Sequence, residues 1–258
     1  MAEDVTADAF LGGHVTVFQP RKGFRAGTDS VLLAAALDET QTGEACEFGC
    51  GAGGALFPAA WRLKNTKFTG LEADPLMLDL ARRGAAENGF EDRAKLLQQD
   101  IAQIPRDWEN RFDLAFSNPP FFEAGKITPP GEGRERAYLE SVPLRDWIGA
   151  MLFTLKPKGR FVMIHRASEL ARILAAIERR TGEITVMPVR SWPGADAKRV
   201  IVKARKGLRS GPMRLLAGID IYESKGGPRT PLMEKISRSG GALDWGSAAD
   251  PSSKKPSS

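Results

Sequence analysis

Short apolar runs recur along the chain, separated by longer stretches in which apolar positions return every three or four residues. Ala45–Phe48, Phe68–Leu71, Ala94–Leu97, Phe112–Phe116 and Arg160–Ile164 read as buried strands. Pro75–Asn88 and Leu144–Leu155 read as helices among them, and Val31–Leu37 as an earlier helix with Thr28 and Asp29 as its cap candidates. This alternation predicts an α/β fold with a doubly wound, mostly parallel sheet. A helix from Ser168 to Arg180 then leads to two β-type segments, Glu183–Val189 and Arg199–Ala204. Only the turn-rich Trp192-Pro193-Gly194 joins them, which predicts an antiparallel edge.

The flanks are simpler. Residues 1–27 read as a leading segment too small to be a domain, with Val15–Phe18 as a β-type run and Gln19–Gly23 as its turn. The domain proper is expected over 28–238. Within it Met213–Tyr222 reads as an irregular strand pair in a stretch rich in Gly, Pro and basic side chains. From Ser239 to Ser258 small, polar and Pro residues predominate, which predicts a frayed tail.

Composition narrows the function classes. The chain has 258 residues, 42% of them hydrophobic, enough for one large domain around a sizeable core. Cys46 and Cys50, with His14 and His165, show no ligand spacing, so no metal is expected and the thiols read as packing groups. The residues after Met1 are acidic where an export signal would be basic, and no run of 18 apolar residues occurs. A cytoplasmic protein without a membrane partner is the expectation. The net charge of +5 suits a polyanion such as RNA and equally an ordinary basic surface.

Chemistry concentrates at two strand ends. Cys46-Glu47-Phe48-Gly49-Cys50-Gly51-Ala52-Gly53-Gly54 follows the first central strand, at the sheet edge where such folds bind ligands. Gly49, Gly51 and Gly54 also satisfy a dinucleotide-binding pattern. Glu47 separates the two readings: a carboxylate there is unhelpful beside a pyrophosphate but attracts the cationic amino-acid end of S-adenosylmethionine. Glu72, ending the second strand, is placed to accept the ribose hydroxyls, with Asp74 as a nearby competitor. Asp100 after the third strand is placed to accept from the adenine amine, with Ile101 beside the ring. Capping of the next turn is an equally available role for Asp100.

Asn118-Pro119-Pro120-Phe121 ends the fourth strand, next to the glycine loop. Consecutive prolines fix φ and remove donors, leaving carbonyls that only accept. An aromatic exocyclic amine is a poor nucleophile because its lone pair is delocalised into the ring. The Asn118 oxygen and the Pro119 carbonyl can hold its two N–H groups, with Phe121 stacking on the base. No metal or strong base is needed.

These residues resemble class I methyltransferases of the small methyltransferase domain family, over nearly the whole chain to about Gly240. Leu11-Gly12-Gly13 and the run from Phe18 to Leu33 are similar to the leading segment of bacterial tRNA1(Val) adenine N6-methyltransferases, which modify the adenine 3′ of the anticodon. The resemblance implies a Rossmann-like, seven-stranded sheet. It also implies that Gly27, Thr28, Asp29, Glu47, Gly49, Gly51, Glu72 and Asp100 lie at the cofactor, beside Gly53 of the same loop and the Ile101 read above, and that Asn118 to Phe121 form the catalytic turn. Phe121 departs from the tyrosine of many relatives, which keeps the stacking face and removes a hydroxyl.

An extruded RNA base must be held by its flanks. Arg21, Lys22 and Arg25, then Lys126, Arg134 and Arg136, are candidates for phosphate contacts, and Lys203, Arg205, Lys206, Arg209 and Arg214 read as a basic edge strand. Two alternatives stand beside an RNA substrate: a protein glutamine amide, for which the residues before Glu44 leave little room for the usual helical domain, and a non-catalytic RNA-binding module of the same fold.

Overall fold

Alternate residues of the central strands point to opposite faces of one sheet, and helices cover both faces. In the computed structural model, which describes residues 5–23, 25–120, 142–209 and 211–246, β1 (Val5–Phe10) and β2 (Val15–Pro20) form an antiparallel hairpin. There follow α1 (Thr28–Ala35), β3 (Gly43–Phe48), α2 (Leu56–Arg62), β4 (Thr66–Glu72), α3 (Pro75–Glu87), β5 (Ala94–Gln98) and β6 (Phe112–Ser117). Beyond residues 121–141 come α4 (Leu144–Thr154), β7 (Leu155–Arg166), α5 (Leu170–Ile177), β8 (Thr181–Arg190) and β9 (Ala197–Lys206). The short β10 (Arg214–Leu215) and β11 (Ile219–Asp220) precede α6 (Pro231–Ser239).

Seven long strands lie in the order β5-β4-β3-β6-β7-β9-β8, with β10 and β11 added on β8. All pairings are parallel except those of β9 with β7 and β8. Strand order reverses between β3 and β6, the position where ligands bind in open α/β sheets. Phe48 stands opposite Ser117, so the two carboxyl ends are level.

Period-two alternation sorts the core. Ala45, Leu114, Phe116, Val162 and Ile164 pack beneath α1, α2, α3 and the hairpin. Cys46, Phe48, Ala115, Phe161 and Met163 pack against α4 and α5. Each such burial contributes about 1.5–3 kcal/mol for a large side chain. The hairpin is held to α3 by Asn88, whose Oδ1 accepts from Thr16 N at 2.8 Å and whose Nδ2 donates to Thr16 O at 2.7 Å.

The structure departs from expectation in several places. β9 is an interior strand, because β8 pairs along its outer side, so the basic run 203–206 does not guard an edge. β10 and β11 do not pair with each other but extend β8 in parallel. Thr28 and Asp29 do not cap α1; Gly27 stands at the cap, its carbonyl accepting from Ser30 N and Val31 N. α6 was hidden by the Gly, Pro and basic composition around it. It nonetheless carries ordinary start and stop signals: Thr230 accepting from Met233 N, Pro231 in the first turn and left-handed Gly240 at the end.

The expected tail is packed as far as Gly246. Leu243 N donates to Ala35 O at 2.8 Å and Trp245 Nε1 to Ala36 O at 3.0 Å, so the segment satisfies carbonyls that α1 leaves open at its end. Residues 247–258 lie outside the described residues. Among the described residues no helix is long and apolar enough to cross a membrane, and no cluster of His, Cys, Asp and Glu is fit for a metal ion.

Candidate active site

The chain leaves β3 through backbone that only glycine adopts without strain. Gly49 and Gly51 have φ of +70° and +53°. A Cβ on Gly49 would come within 2.9 Å of the Trp147 ring, whereas one on Gly51 would meet only the Met77 methyl, at 3.6 Å. At Gly51 the requirement is therefore conformational, and its open side leaves a cradle for a ligand. Gly53 turns the same loop toward Phe57. Gly51 N donates to Glu72 Oε2 at 2.7 Å, tying the loop to the end of β4.

The leading segment lies against this loop. A methyl on Gly54 would overlap Ala26, so the backbone before Gly27, Thr28 and Asp29 runs directly over the glycines. Gln19 places it: its Oε1 accepts from Ala26 N at 2.6 Å and its Nε2 donates to Asp8 at 2.6 Å, with the side chain buried. Asp29 pairs with Arg199 of β9 at 2.7 Å. Neither Gln19 nor Arg199 was singled out from the sequence, since their partners are remote or in an unremarked loop.

The acidic residues divide by what they already hold. Glu47 is 2% exposed and its Oε2 has no hydrogen-bond partner. Burial, then the charge of Glu72, pushes its carboxyl well above the usual range, against the pull of the Leu56 amide. Glu72 accepts from the amides of Gly51, Ala73 and Asp74. Burial raises its carboxyl and those amides lower it. Three of about four acceptor positions are thus used, which leaves room for one further donor rather than two. Asp74 caps α3 through the amides of Leu76 and Met77. Asp100 caps the turn Ile101–Gln103 through Ala102 N at 2.9 Å, with Ile101 buried behind it. Cys46 and Cys50 are buried free thiols, each raised by burial.

Beside the loop, Asn118 follows β6 directly. Its Oδ1 is buried and has no partner, and Pro119 is buried next to it. Phe121 lies outside the described residues, as do Lys126, Arg134 and Arg136. Below the turn runs a chain of hydrogen bonds: Trp147 Nε1 donates to Ser117 Oγ at 2.9 Å, and Ser117 Oγ to Phe48 O at 2.7 Å. It fastens the ends of β3 and β6 and the start of α4 to one another. The residues implied by the sequence are thus brought together, apart from Phe121, around two buried acceptors that lack donors.

A buried acceptor without a donor costs about 1–3 kcal/mol, and a buried carboxylate more. Glu47 therefore fits a cationic donor and Asn118 an N–H. Those are the groups that the ammonium of S-adenosylmethionine and an exocyclic amine would bring.

Among the described residues, several of the basic groups expected at an RNA surface are engaged within the fold. Arg25 binds Asp8, Thr6 and the Pro20 carbonyl. Lys206 donates to Asn110 and to the carbonyls of Phe153 and Leu155, Arg205 to Lys158 O, and Lys203 lies 4.9 Å over the Trp245 ring.

Residues 40–195 match the family described as methyltransferase domain. The tRNA1(Val) (adenine(37)-N6)-methyltransferase of Porphyromonas gingivalis is 30% identical over 207 residues, covering 77% of this chain and 81% of its own. That of Yersinia enterocolitica is 31% identical over 191 residues, covering 72% and 75%. A crystal structure of a predicted O-methyltransferase from Agrobacterium tumefaciens superposes with a TM-score of 0.69 at 24% identity. It covers 83% of this chain and 98% of its own, which shows the shared fold. The relatives bear out the resemblance carried by the leading segment and the two strand-end motifs.

Proposed function

This chain belongs to the methyltransferase domain family and is a methyltransferase, and on that premise we propose that it methylates N6 of an adenine in tRNA beside the anticodon, using S-adenosylmethionine. The observation that carries the reading is the pair of buried, donorless acceptors, Glu47 Oε2 and Asn118 Oδ1, at the level ends of neighbouring strands.

Glu47 would receive the cofactor's ammonium, with the Gly49, Gly51 and Gly53 backbone and the Gly27–Asp29 segment closing around its amino-acid end. Glu72 offers its remaining acceptor position to a ribose hydroxyl. Asp100 and Ile101 flank the adenine. When bound, the cofactor supplies an electrophilic methyl on a sulfonium whose leaving group is a neutral thioether.

Asn118 Oδ1 and the Pro119 carbonyl each accept one N–H of the substrate amine, which fixes the nitrogen's orientation and favours sp³ character there. As the new C–N bond forms the nitrogen becomes cationic, and the same two oxygens stabilise that charge until one proton leaves to solvent. Phe121 supplies the stacking face for the base. A tRNA substrate places the work in the cytoplasm.

The test is methyl transfer from labelled S-adenosylmethionine to tRNA lacking its own modification, followed by nucleoside analysis. Label is expected as N6-methyladenine, and is expected to fall about 100-fold or more with the Asn118→Ala protein. Measurable cofactor binding without label in RNA would refute the substrate assignment.

A further inference from the structure

Among the described residues, some arginines without a carboxylate partner lie outside the runs to which the sequence drew attention. Between α4 and α5 runs a cleft of about 790 Å³ lined by four arginines and two acids. Arg145 stands on the α4 side; Arg172, Arg179 and Arg180 stand on or just beyond α5. Glu169 is already paired with Arg172 at 3.1 Å. Among the described residues no carboxylate lies within ion-pair distance of Arg145, Arg179 or Arg180, and all three are exposed.

The shape suits a chain rather than a compact ligand. Gly149, Ala175 and Ala176 line it without bulk, and Arg180 Nη1 lies 4.0 Å from where a Cβ on Gly149 would stand, reaching across to α4. Both helices follow strands of the parallel sheet and so run from its carboxyl edge back toward its amino edge. The cleft therefore opens at Pro143 and His165, beside the Asn118 turn, and leads away along the molecule. The helix that forms one wall, α4, is fastened through Trp147 to Ser117, the residue before Asn118.

We propose that this cleft holds the phosphodiester backbone of the RNA strand whose adenine enters the Asn118 turn. The proposal rests on the RNA reading above and names the surface that carries it. Guanidiniums suit phosphate oxygens, which they bind bidentately, and each phosphate neutralised releases counterions that make binding salt-dependent. Extruding a base costs a few kcal/mol, and backbone contacts next to the pocket offset it.

The experiment compares the intact protein with a groove variant (Arg145→Gln, Arg179→Gln, Arg180→Gln) and an equally neutralised control (Lys67→Gln, Lys95→Gln, Lys225→Gln) at exposed sites elsewhere. Readouts are tRNA affinity against salt, KM and kcat for tRNA, and cofactor affinity as a folding check. The groove variant is expected to bind tRNA about tenfold or more weakly, with a salt slope shallower by about 2. KM should rise while kcat at saturating tRNA and cofactor affinity hold, and the control should behave as the intact protein. Equal losses in both variants, or no loss in either while the intact protein binds tRNA, would overturn the groove alone. An intact protein that neither binds nor methylates tRNA would overturn both readings.

Discussion

The two ends of β3 and β6 differ in how their polar groups are treated. At the amino ends Asp113 accepts from Lys156 Nζ at 2.9 and 3.0 Å and from Glu44 N at 2.9 Å, and Gln41 Oε1 accepts from Arg160 at 2.8 Å. At the carboxyl ends, a few residues on, Glu47 and Asn118 each keep a buried oxygen with no donor. A paired group contributes to stability, while an unpaired one lowers it and is tolerated where a ligand completes it. One end of the sheet is built for the fold and the other for chemistry.

The largest effect should come from Asn118→Ala, with kcat falling about 100- to 1000-fold as one preorganised acceptor is lost, and cofactor affinity unchanged in calorimetry. A normal kcat would remove the carboxyl end from the contrast. Next, Glu47→Gln should weaken cofactor binding about 10- to 100-fold, as expected for a lost charge-assisted hydrogen bond. The Tm of the free protein should not fall, because Gln keeps an oxygen that can accept from the Leu56 amide; a large fall would mean that Glu47 is structural.

The pH dependence sharpens the same point. The folded Glu47 carboxyl lies well above its ordinary 4.5, so the free folded protein holds a proton that the unfolded chain has released. Its contribution to stability is then present below about 4.5 and lost as pH rises through the raised value. A bound ammonium favours the carboxylate, so cofactor affinity should rise with pH over that window and binding should release a proton. Calorimetry in buffers of different ionisation enthalpy measures the release, which Glu47→Gln should abolish.

The smallest effect should be Asp113→Ala at the paired end. Its side chain is 34% exposed, so screening limits the loss to about 1 kcal/mol or less in denaturant unfolding, with kcat unaltered. A loss of activity there would blur the distinction between the two ends.

Much of the fold was legible because its signals are local. Runs such as Phe112–Phe116 and Ala45–Phe48 announce buried strands, and Pro75 announces the start of α3, which Asp74 caps although its sequence position suggested only a competitor of Glu72 for the ribose. The hairpin Val5–Phe10 with Val15–Pro20 was only half visible, because β1 has just two large apolar side chains, Val5 and Phe10, and its pattern means little without its partner. The packed segment 240–246 was misread because its Gly, Ala and Asp suit a frayed end equally well. Two hydrogen bonds to the end of α1 decide the matter.

What the sequence determined by itself was the set of elements and the chemistry at two strand ends. Hydrophobic period, glycine at positive φ and the rigidity of Asn118-Pro119-Pro120 all act between near neighbours in the chain. Only the tertiary structure decided which polar groups would be satisfied. It paired Asp29 with Arg199 across 170 positions and Trp147 with Ser117 across 30. It spent the basic run of β9 inside the sheet and left Arg145, Arg179 and Arg180 of the α4–α5 cleft without a carboxylate among the described residues. Those outcomes depend on distances between residues far apart in sequence, which close only when the two helical layers pack on the sheet.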